Sequence, residues 1–281
     1  MAFLPNDQTP WTGLIVASLE DGGFDIFNVD GMRIITASGP ELSGLAAIPD
    51  FALRGENFPL MFGVDSEGAM RGFAAVLEAE DVLELPLEGD WPQDLIGLCH
   101  YNTGIGYVDL AVLTQDARAF IVRVRDAGGV GLQVSQQSEI NLPFSADHCD
   151  SDIDHLVVSS PAAGLARVSM SEGAQAFRSE IGLGKVALAS FLGRPFALTV
   201  SQDTGALTAY DFDTLEPYAV VNFESGLNAP RLQSPTAFAV NSESFGGMSF
   251  SSGLFVVYDA ADNRVKLVAR EVLARSVRAS D

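Results

Sequence analysis

An all-β fold arranged as a six-bladed β-propeller is what this sequence predicts, and three observations predict it. No long stretch places apolar residues at i, i+3, i+4 and i+7, the signature of an amphipathic helix. Short β-rich runs bounded by Gly, Asp, Asn or Ser are frequent instead. A phrase of apolar strand, polar turn and second strand returns six times, at a mean spacing on the order of 45 residues, the period of four-stranded propeller blades.

The copies follow in order. In the first, GLIVAS (13–18) and FDIFNV (24–29) flank the turn in SLEDGG. The second contains LMFGV (60–64) and continues through FGVDSEGAMRGFAAV (62–76). In the third, VDLAVLT (108–114) turns into AFIVRV (119–124), and in the fourth HLVVSS (155–160) leads LVVSSPAAGLARVSM (156–170). FALTVS (196–201) and ALTAYDF (206–212) make the fifth; AFAVN (237–241) precedes LFVVYD (254–259) in the sixth. The tail VKLVAREVLARSV has room for a helical turn or two after a strand. Radial repetition suits such short strands, because each blade buries its faces against two neighbours. A large sandwich would not require the steady interval. One domain over 1–281 follows, since separating the blades would expose their shared faces.

The 281 residues include 37 Asp and Glu against 16 Lys and Arg, a net charge of −21, with 47% hydrophobic and 19% charged residues. That composition describes a folded chain with a sizeable core. Binding a phosphate backbone needs clustered Lys and Arg, and Lys185 and Lys266 are the only lysines, so nucleic acid and anionic membrane surfaces are disfavoured. No apolar run reaches the roughly 18 to 20 residues of a membrane span, and MAFLPNDQTPW lacks the basic flank and apolar stretch of a signal peptide.

Cys99 and Cys149 are too few for a disulfide framework and lack metal-ligand spacing. Their strand-like surroundings favour two buried thiols acting as small apolar groups. A single long-loop disulfide stays open, because sequence does not give their separation.

Four phrases resemble the β-propeller phytases, calcium-dependent enzymes that release phosphate from inositol hexakisphosphate. GLIVASLEDGGFDIFNVDGMRI (13–34), DLIGLCHYNTGIGYVDLAVLTQDARAFIVRV (94–124), SADHCDSDIDHLVVSSPAAGLARV (145–168) and SSGLFVVYDAADNRVKLVAREVLA (251–274) are collinear with that family's blades. The resemblance implies calcium held by carboxylates at one end of the channel and cations that hold phosphate. Asp94 and Tyr101 stand at two of the family's positions, and Asp147 replaces a glutamate. The family's phosphate-binding lysine falls near Asp116, a reversal of charge, with Arg118 two positions on; Arg167 is a second candidate for phosphate. Leu19, Glu20 and Asp21 stand where the family tends to place a basic residue. Ser159 and Ser160 replace an acidic pair, Gly184 or Lys185 replaces a glutamate, and Ala237 and Ala239 replace aspartates.

A calcium ion takes about six to eight oxygens, so a site with one or two surviving carboxylates would bind it weakly at best. The expected function is therefore a catalytically degenerate binding or auxiliary propeller, as in tandem arrangements where a second domain does the chemistry. The alternative is an active calcium-dependent phosphohydrolase, with Asp94, Tyr101, Asp147, Asp203 and Asp259 in the cluster and Arg118 or Arg167 on phosphate.

The segment from Asp147 to His155 holds four carboxylates and two imidazoles in nine residues. It lacks the central Gly and distant Glu of an EF-hand, which favours a solvated loop; if it takes a metal, calcium through Asp150, Asp152 and Asp154 is the first candidate. No phosphate loop, zinc helix, nucleophile elbow or dinucleotide fingerprint occurs. The expected partners are a small phosphorylated ligand or a second propeller domain, on a monomer. By resemblance the location is extracellular or periplasmic, with the cytoplasm as the alternative.

Overall fold

The computed structural model describes residues 1–191, 193–201, 204–225 and 230–278. Six separate sheets, each taken from one stretch of chain, form the blades. The first contains β1 (Ala2–Leu4), β2 (Leu14–Ser18), β3 (Phe24–Asn28) and β4 (Arg33–Ala37). The second contains β5 (Leu42–Leu53), β6 (Glu56–Asp65), β7 (Met70–Val76) and β8 (Asp81–Leu85). In the third, β9 (Leu87–Asp90) adds in parallel outside β10 (Leu95–Gly104), β11 (Tyr107–Thr114), β12 (Arg118–Asp126) and β13 (Leu132–Asn141).

The fourth blade is β14 (His148–Ser151), β15 (His155–Ser160), β16 (Gly164–Ser169) and β17 (Gly173–Ser179); the fifth is β18 (Leu183–Phe191), β19 (Arg194–Ser201), β20 (Leu207–Asp211) and β21 (Pro217–Val221). The sixth has three strands, β22 (Pro235–Asn241), β23 (Leu254–Asp259) and β24 (Arg264–Ala269), before the helix α1 (Arg270–Arg278). The innermost strands β1, β5, β10, β14, β18 and β22 touch in that order, and β22 touches β1, so the ring closes. The chain is a six-bladed β-propeller.

Burial on both faces explains why the second strands read as continuous apolar runs. In β11, Val108, Leu110 and Val112 pack with Leu60, Phe62 and Val64 of the second blade. The alternate residues Ala111 and Leu113 pack with Leu156 and Val158 of the fourth. Alternation thus serves two cores at once, and each fully buried Val or Leu contributes roughly 1.5–3 kcal/mol.

The recurring turn has a shared chemical origin. Each second strand ends on Ser18, Asp65, Thr114, Ser160, Ser201 or Asp259, a residue with a side-chain oxygen. Asp65 accepts the Glu67 and Ala69 amides, both at 2.9 Å, and Thr114 Oγ1 donates to Asp116 at 2.6 Å. Ser201 Oγ accepts the Thr204 amide at 3.3 Å. Such groups satisfy turn amides that lie beyond the ladder.

Three differences from the sequence reading stand out. The innermost strand β1, AFL, was not among the anticipated runs, because three residues carry no period. The tail forms nine residues of helix, with Leu273 and Val277 buried against the fifth and sixth blades. Cys99 and Cys149 are not free thiols: they form a disulfide between β10 and β14, with α-carbons 5.6 Å apart. Side-by-side packing of consecutive blades makes those inner strands neighbours although 50 residues separate the cysteines.

Candidate functional site

The inner strands enclose a channel of about 400 Å³ whose polar lining includes His100, His148, Asp150, Lys185 and Asn241. It shares His100, Asp150 and Asn241 with an adjoining mouth of about 520 Å³ rimmed by Asp152, Glu243 and Arg270. Each of the six inner strands supplies residues to the lining.

Lys185 lies at the centre of the arrangement. Its Nζ donates to the Met1 carbonyl at 2.9 Å, the one acceptor it has among the described residues. An ammonium carries three donors, so two N–H bonds remain for something else in the channel. Burial lowers the Lys185 pKa, against the pull of Asp150. Asp150 accepts the Leu188 amide at 2.7 Å and the Ser151 amide at 2.8 Å, and burial pushes its carboxyl upward despite those bonds.

His148 pairs through its backbone with Ser159, but its ring has no hydrogen-bond partner among the described residues. Burial first, and the Lys185 charge second, push its imidazole down to about 4. His100 is also lowered by burial, and its Nε2 lies 2.8 Å from Thr103 Oγ1. At the mouth the Arg270 guanidinium donates to the Ser252 and Ser190 carbonyls, while its Nε is buried without a partner. A neutral imidazole, an ammonium with spare donors and an orphaned guanidinium N–H suit an anion.

The residues singled out from sequence are dispersed. Asp94 and Arg118 line a separate cleft of about 910 Å³ with Asp65, Asp90, Asp116 and Glu139. Arg118 begins β12, so it does turn toward that cleft, but Asp116 (2.5 Å) and Glu139 (2.8 Å) neutralise it. Tyr101 lies seven residues further along β10, roughly 20 Å away at strand rise; its hydroxyl donates to the Ile153 carbonyl at 3.1 Å.

Asp147 receives the Ser160 hydroxyl at 2.9 Å. Asp152 caps its own loop, accepting the Asp154 amide at 2.9 Å and the His155 amide at 2.8 Å. Asp150 lines the channel and, with Asp152, its mouth. Arg167 pairs with Asp213 at 2.7 Å and covers the Phe212 ring. Asp259 is taken by Lys266 at 2.6 Å. Asp203 lies outside the described residues. Among the described residues no group of three or more His, Cys, Asp or Glu is placed to hold a metal ion.

From sequence, Lys185 counts as one of two lysines and as a replacement for a glutamate, not as a ligand-binding residue. The signal available was its rarity, one of two lysines in a chain of charge −21. His148 was read as part of a loop, whereas its backbone opens an inner strand.

No protein-family model matches the chain, and no curated protein matches it. Among solved structures the chain is similar to the computationally designed protein Ika8, at 10% identity and a TM-score of 0.47, over 91% of this chain and 80% of that one. The fold itself rests on six contiguous sheets and a closed ring of inner strands: the chain is an all-β, six-bladed propeller.

Proposed function

We propose that this protein is a phytase-like propeller that binds a small phosphorylated ligand in its channel and does not hydrolyse it with calcium. The observation that carries the reading is Lys185, an ammonium facing the channel with a single protein acceptor. A phosphate oxygen would take its spare donors, with the His148 ring and the Arg270 guanidinium toward the mouth. The implied calcium residues support no shared cluster: Asp94 precedes β10 and lines the separate cleft, Tyr101 lies well along β10 with its hydroxyl on Ile153, and Asp259 is held by Lys266. Ala237 and Ala239, in place of two aspartates, line the channel without offering oxygen side chains. The disulfide favours an extracellular or periplasmic setting, where such bonds persist.

The test pairs calorimetry with a turnover assay. Inorganic phosphate and inositol hexakisphosphate are titrated into the protein and into Lys185→Met, and phosphate release from the hexakisphosphate is followed with millimolar calcium. Phosphate binding that the substitution abolishes, without turnover, is the expected result. Calcium-stimulated release overturns the reading.

A further inference from the structure

The sixth blade is one strand short. The other five sheets have four or five strands, whereas β24 is the outermost of three, and no strand pairs with its outer edge among the described residues. An edge presents a row of backbone donors and acceptors ready for another strand. Alongside it runs a groove of about 310 Å³ lined by Phe223, Pro230, Leu232, Val265, Leu267 and Val268. The helix α1 leaves β24 at its far end and turns toward β21, where Leu273 and Val277 are buried.

Charge sets this stretch of the chain apart from the rest. Residues 231–281 carry six Lys or Arg against five Asp or Glu, while the preceding 230 residues carry ten against 32. Arg264, at the start of β24, is exposed, lines the groove and has no ion pair among the described residues. Glu224 is the one acid lining the groove among the described residues, and Lys266 is committed to Asp259 and Asp262.

We infer that β24 accepts an extended acidic segment of a partner protein as the fourth strand of the sixth blade. Backbone pairing supplies affinity, and alternate side chains supply selectivity: apolar ones enter the groove while Asp or Glu meet Arg264. The molecule's own β8 shows the required pattern, because Asp-Val-Leu-Glu-Leu (81–85) pairs as the outer strand of the second blade.

The experiment uses a fluorescent, end-capped peptide with the sequence of residues 80–86, titrated into the intact protein by anisotropy. Saturable binding is expected, weakened about tenfold by Arg264→Glu and abolished by N-methylation of alternate peptide amides. A melting curve of Arg264→Glu matching the parent keeps the result from being a folding effect. Failure to bind, or equal binding of a peptide with Lys in place of Asp and Glu, overturns the inference. So does a concentration-dependent dimer in sedimentation that Arg264→Glu dissolves, since a second copy would then occupy the edge.

Discussion

Cys99 of the third blade and Cys149 of the fourth are joined across adjacent inner strands, closing a loop of 50 residues. In the loop-closure picture a link of that length removes about 4 kcal/mol of unfolded-chain entropy. The double variant Cys99→Ala/Cys149→Ala is expected to melt roughly 5–10 °C lower. A thiol reductant should reproduce the drop in the parent protein and leave the double variant unmoved, which a pair of scanning-calorimetry runs would check.

Asp259 and Lys266 form a buried ion pair, their side chains 1% and 8% exposed. Burial pushes the Asp259 carboxyl up, but the Lys266 ammonium and the Ser234, Gln233 and Ala261 amides outweigh it and hold the pKa below its ordinary value. Removing the carboxylate leaves the buried Lys266 ammonium with Asp262, at 3.1 Å, as its remaining carboxylate partner, so Asp259→Ala should cost about 3 kcal/mol, the lower end for a broken buried pair. A depressed carboxylate stabilises above its unfolded pKa and loses that contribution as pH falls through the folded one. Urea midpoints should therefore drop below about pH 4 in the parent and less steeply in the variant.

His148 acts in a higher window. Its imidazole is held down at about 4, so between pH 6.5 and 4 the unfolded chain takes up a proton that the folded chain refuses. Stability should fall through that range by roughly 3 kcal/mol. His148→Gln should flatten the slope between pH 6.5 and 4 while leaving the acid limb in place; equal slopes in both proteins would refute the assignment.

Lys185 ties ligand binding to protons. Its pKa is lowered by burial, and an anion beside it raises the pKa again, so binding at alkaline pH should draw a proton from solution. Phosphate affinity is expected to decline at a pH below the ordinary lysine value of 10.5. Titrations in two buffers of different ionisation enthalpy should give different heats, and Lys185→Met should show neither heat.

The architecture was legible because six side chains with oxygen atoms, from Ser18 to Asp259, close the second strand of every copy and punctuate the period. What could not be read is which inner strands face each other across 50 residues, and hence that Cys99 meets Cys149. The candidate site suffered in the same way. Asp94 and Tyr101 are close in sequence but extended chain carries them apart, whereas His148 and Lys185 are distant in sequence and share a cavity. Local spacing reports one strand, and the channel is assembled from six.

Where the ring closes, β22 lies against β1 without joining its sheet, and the Cys99–Cys149 link sits between blades three and four, diametrically across from that junction. Under load or heat the molecule should part as a locket does, riveted on one side and clasped on the other. The clasp belongs to the blade with the open edge at β24, so a strand added there would thicken one leaf of the clasp itself.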